Sequence, residues 1–142
     1  MTKILSTLLL INILLFSACG LSGYGKKVII NDKLEVYLKG DNVTEADARK
    51  LGAYIDTTWK DATNKKSFQL CKDSGQYVVR MVVDEKKVKS DNSLDVSFMA
   101  LQMLFESQVF NNNKVKLILT DDHFKDVKTF YSHSTTADTT HT

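Results

Sequence analysis

The sequence predicts an α+β fold: an antiparallel sheet with two helices packed on one of its faces. Three observations lead there. Apolar residues alternate with polar ones in Leu34/Val36/Leu38 and in Val115/Leu117/Leu119, the period of half-buried strands. Two other stretches repeat their apolar residues at helical spacing, each on one side only. The resulting order, strand–helix–strand–strand–helix–strand, lets both helices cover the same side of one sheet.

The first extended segment is Lys27–Lys39. Val28-Ile29-Ile30 is strand-like, and Asn31-Asp32-Lys33 makes the segment either a short hairpin or a bend in one long strand. A helix follows. Thr44 can cap it, Glu45 and Asp47 favour its positive end, and Val43 can staple against Ala48. Its apolar stripe is Ala48, Leu51, Ile55, Trp59 and Ala62, with Gly52 marking a close approach. Phe68–Cys71, a four-residue loop Lys72–Gly75 and Gln76–Val83 form a hairpin. Its second strand is apolar on both faces and belongs at the centre of the sheet.

Asp84–Asn92 is charged and reads as solvated. The second helix spans about Leu94–Phe110. Leu94, Phe98, Leu101, Phe105 and Gln108/Val109 form its buried side, widened by Met99, Met103 and Leu104. Asn111-Asn112-Asn113 ends it, because Asn tolerates the left-handed conformation. Val115–Leu119 is the last main strand, Thr120–Phe124 a capped turn, and Val127–Tyr131 a short edge strand. Ser132–Thr142 lacks an apolar pattern and is expected to be disordered. The βαββαβ order fits a ferredoxin-like plait, or a variant with an extra N-terminal hairpin strand.

Ahead of the domain, Lys3 and the apolar run Ile4–Phe16 have the layout of a secretory signal, too short for a bilayer span of about 20 residues. Ser17-Ala18 then precede Cys19, and Phe16 stands where Leu is usual. This resembles the lipobox of bacterial lipoprotein precursors. The resemblance implies cleavage after residue 18, a diacylglyceryl thioether on Cys19, and an acylated, palmitate-type N-terminus. The expected organisation is 1–18 signal peptide, 19–26 lipidated cysteine and tether, 27–131 domain, and 132–142 tail. Lipoproteins that face outwards often carry an acidic cluster just after the cysteine. Gly20–Gly25 has none, so the expected location is the cell envelope, membrane-anchored and facing the periplasm. If Cys19 carries lipid, Cys71 has no intrachain partner, so the core must hold without a disulfide.

The composition, 43% hydrophobic and 25% charged, is globular. Lys3 is the only charge in the signal, so the rest is nearly neutral and gives no global reason to expect nucleic acid. The stretch Val43-Thr44-Glu45-Ala46-Asp47-Ala48-Arg49-Lys50-Leu51-Gly52-Ala53-Tyr54, with Val109-Phe110 and Val115–Leu119 downstream, is similar to an uncharacterised bacterial domain family. That resemblance covers about Lys27–Phe130 and implies no activity.

No catalytic, cofactor or metal site is assigned. Asp121-Asp122-His123 lacks a third ligand at a usual spacing, and nothing around Cys71 makes it a nucleophile paired with His123. No phosphate loop, cysteine pair or nucleophile elbow is present. The reading is a non-catalytic interaction or accessory module. The alternatives are an inhibitor or immunity-type lipoprotein, and an enzyme with an unrecognised site. The expected partner face is the side of the sheet that the helices leave open, with Tyr37, Val78, Arg80, Val82 and Ile118. It would receive a protein partner or a second copy.

Overall fold

The computed structural model describes residues 23–60 and 63–132. Cys19, the signal and the tail beyond Ser132 lie outside the described residues. The fold is α+β, with six strands in one mixed sheet and three helices. The strands are β1 (Lys26–Asn31), β2 (Leu34–Leu38), β3 (Lys66–Asp73), β4 (Gln76–Val82), β5 (Val115–Thr120) and β6 (Asp126–Phe130). Helix α1 (Glu45–Thr58) joins β2 to β3, while α2 (Glu85–Ser90) and α3 (Leu94–Leu104) join β4 to β5.

The strands lie side by side in chain order, β1 to β6. Three neighbouring pairs are antiparallel, and the two pairs bridged by helices, β2–β3 and β4–β5, are parallel. This corrects the expected antiparallel plait. In a plait each helical crossover passes over an intervening strand, whereas here each helix delivers the chain to the adjacent position. Both arrangements present the same element order and the same alternation, so periodicity cannot separate them. The N-terminal hairpin β1–β2 does form, and β6 adds an edge strand slightly ahead of its expected position.

Alternation does assign the faces. Leu34, Val36, Leu38, Val79, Leu117 and Leu119 are buried beneath the helices, and Met81 packs partly buried against them. Ala48, Leu51 and Ile55 meet that face from α1, and Leu101 and Phe105 from the α3 side. Trp59, expected in the stripe, is only half-buried, because it stands at the C-terminal end of α1 and stacks its ring on Phe68.

Helix α1 starts where its chemistry requires. The Thr44 hydroxyl accepts from the Asp47 amide, and the Asp47 carboxylate accepts from the Thr44 amide, a closed capping box. Thr44→Ala is expected to cost about 1 kcal/mol in urea unfolding; a loss below a few tenths would deny the box a role.

Three local features differ from the expectations. The β3–β4 loop is a two-residue turn, because Ser74 and Gly75 both take positive φ (50° and 78°) and match the twist of the strands. The charged stretch contains α2, capped by Asp84 and held by one buried residue, Val88. Helix α3 continues into a π-turn, Phe105–Val109, in which the Phe110 amide donates to the Phe105 carbonyl at 3.0 Å. The extra residue rotates the helix end so that Phe105, Val109 and Phe110 are all buried. Asn111 and Asn112 then end it with positive φ, as expected.

Candidate functional site

Helix α3 carries more apolar side chains than one face can bury. Leu101 and Phe105 take the core side. Met99, Met103 and Leu104, expected to widen that side, instead point outward, at 41%, 66% and 41% exposure, with Val96 at 73%. Val96, Met99 and Met103 are spaced i, i+3, i+7 and form one outward stripe. Among the described residues six large apolar side chains are exposed, and four of them stand on this helix.

Gln102 explains the orientation. It is buried, donating from Nε2 to the Val115 carbonyl at 2.9 Å and to Glu106 Oε2 at 2.7 Å. Anchoring Gln102 inward to β5 turns the neighbouring Met103 outward. Glu106 also accepts from the Ser132 hydroxyl at 3.0 Å, tying the end of β6 to the helix. Between them lies a groove of about 340 Å³, lined by Met99, Met103, Tyr131 and polar groups including Ser107 and Asn112. Methionine suits such a surface, since its unbranched thioether adapts to a partner's shape.

The helix-free face of the sheet is different in character. One row crosses all six strands: Lys27, Tyr37, Gln69, Arg80, Ile118 and Thr129 are register partners in turn. The expected face residues do share this side, but Val78 and Ile118 are buried and Tyr37, Arg80 and Val82 half-buried. Arg80 donates from Nε to Asp126 at 3.1 Å and from Nη1 to Cys71 Sγ at 3.6 Å. Gln69 donates from Nε2 to the Tyr24 carbonyl at 2.9 Å.

Tyr24, Tyr37 and Phe124 pack edge-to-face, with ring centroids 5.3–6.0 Å apart. The segment before β1 and the β5–β6 turn therefore meet over this face. Beside them Glu35 is buried, accepting from Ser67 and Tyr37 and pairing with Lys65 at 2.8 Å and Lys27 at 3.2 Å. Burial alone would raise its pKa, but the bonds from Lys65, Ser67, Lys27 and Tyr37 outweigh it and hold the group at about 2.

Asp121, Asp122 and His123 bring ligand atoms within 4.8 Å of one another at the β5–β6 turn. Their chemistry is already used. Asp121 Oδ1 accepts from the His123 and Lys125 amides at 2.9 Å, closing the turn, and His123 Nδ1 meets Asp122 Oδ1 at 2.7 Å. A second cavity, about 240 Å³, lies where α1 ends against the β1–β2 turn. There Asp56 accepts from Asn31, and Lys66 Nζ sits 5.2 Å from the Trp59 ring centre. No helix among the described residues is long and apolar enough to cross a membrane.

The sequence pattern missed the outward stripe because Met99, Met103 and Leu104 fit a broad buried face equally well. The buried Gln102 was the available signal: a polar residue among apolar ones marks where the helix axis must be turned. No curated protein and no solved structure matches the chain. Residues 27–132 match the AF_1994_N family N-terminal domain, and the chain belongs to that family.

Proposed function

We propose that the protein is a lipid-anchored envelope lipoprotein that works by contact, its α3 face receiving an apolar helical segment of a partner protein. The observation that carries the reading is the outward stripe Val96, Met99 and Met103 beside the groove under Tyr131. An exposed apolar patch of this kind, rimmed by polar groups, is typical of a protein contact, and a groove edged by methionines suits a helix laid along it. The anchor rests on the signal and the small residues before Cys19. Two or three buried acyl chains, at roughly 0.8 kcal/mol per CH₂, would hold the protein at a membrane.

The test is a photo-crosslinking residue at position 103, compared with one at exposed Lys50 on α1, in envelope membranes. The expected result is a discrete heterologous adduct at 103 only, lost on adding Met99→Glu while the melting temperature stays unchanged. Equal adducts at both positions would overturn the docking surface. An adduct at twice the chain's own mass would replace the partner with a second copy.

A further inference from the structure

The chain is fixed to the sheet almost as soon as it leaves Cys19. The Tyr24 carbonyl is held by Gln69 in the middle of the helix-free face, and the Tyr24 ring packs on Tyr37 and Phe124. Gly25 follows with φ +100°, so close to β2 that a Cβ would drive into the Leu38 carbonyl oxygen. Only glycine fits there. Phe124 also holds a left-handed backbone, φ 58°. That conformation is unfavourable for an L-residue, and it places the Phe124 ring against Tyr24 and Tyr37.

Five steps of chain separate Cys19 from Tyr24. Fully extended, they reach no more than about 18 Å. A lipid on Cys19 therefore holds Tyr24, and the face to which it is pinned, within that distance of the bilayer. Such a tether is too short to let the domain turn over while the pin is closed. The chemistry at the pin suits lipid headgroups. Tyrosine rings prefer the membrane interface, and exposed Lys125, on the same turn as Phe124, can meet phosphates, while Lys27 stays paired with Glu35 at 3.2 Å.

We infer that the helix-free face is the membrane-facing side of the domain, held there by the Tyr24–Tyr37–Phe124 pin, so that α3 and its apolar groove point away from the lipid. The inference rests on the lipid anchor proposed above.

The experiment uses the full chain, processed in a bacterial host and reconstituted into phosphatidylglycerol-containing vesicles with a nitroxide on the headgroup. In a Trp59→Phe background, a single tryptophan is placed by Lys125→Trp near the pin or by Met103→Trp on α3. Quenching several-fold stronger for Lys125→Trp is expected. Adding Gly25→Ala, which opens the pin, should bring the two signals together while the protein still floats. Equal or reversed quenching in floating protein overturns the orientation and leaves the anchor standing. A difference that survives Gly25→Ala overturns the pin as its cause. If the parent does not float with the vesicles, or if Cys19→Ala floats as well as the parent, the anchor fails and the orientation with it.

Discussion

Phe105→Ala is expected to lower the free energy of unfolding by about 3–5 kcal/mol, the range for emptying a fully buried aromatic site. Phe105 is wholly inaccessible and is where both helices meet the sheet. Its ring stands edge-on to Tyr54 of α1 at 6.0 Å, and its carbonyl accepts the amide that closes the π-turn. Truncation would leave a cavity lined from two helices, next to the turn that buries Val109 and Phe110. With no disulfide among the described residues, nothing covalent offsets the loss. Reversible urea unfolding measures it, and a change under about 1 kcal/mol would mean that the Phe105 ring does not carry the contact between the helices and the sheet.

Acid should remove a second, separate contribution. The Glu35 carboxyl sits at about 2 in the folded protein against an ordinary value of 4.5. A depressed folded pKa stabilises the protein above the unfolded value, and the stability is lost as pH falls through the folded one. The window is therefore pH 4.5 down to about 2. Each unit corresponds to about 1.4 kcal/mol, so the full loss is at most roughly 3.5 kcal/mol, less whatever solvent screens at the exposed ends of Lys27 and Lys65. Glu35→Gln should be less stable at neutral pH and should flatten the curve across that window. A Glu35→Gln curve parallel to the parent's would mean that other carboxylates carry the acid response.

The covered face of the sheet was legible residue by residue. Val36 alternates with Glu35 and Tyr37, and Val115, Leu117 and Leu119 keep one parity, a period that survives whatever the strand order is. The cap of α1 was equally legible, since Thr44 and Asp47 interact within one turn and need nothing from elsewhere. The plait was the wrong solution to the right pattern. Whether a helix returns the chain to the neighbouring strand or one beyond depends on how α1 and α3 share the sheet, a contact between distant segments. The outward stripe failed to show for a related reason. Val96, Met99 and Met103 are as apolar as the core residues beside them, and the Gln102 bond to β5 fixes, together with the packing of Leu101 and Phe105, which side turns inward.

By itself the sequence determined an α+β domain with its helix layer on one side, the cap that starts α1, and the Asn residues that end the chain's run from α3. These depend on contacts within a few residues or on periods carried by a single segment. The tertiary structure decided the strand order, the outward methionines, and the pin that joins Tyr24 to Phe124 across a hundred residues of chain. Each of those depends on side chains that meet only after the sheet has assembled, when burial and hydrogen bonding choose between faces that the chain, read one window at a time, presents as equivalent.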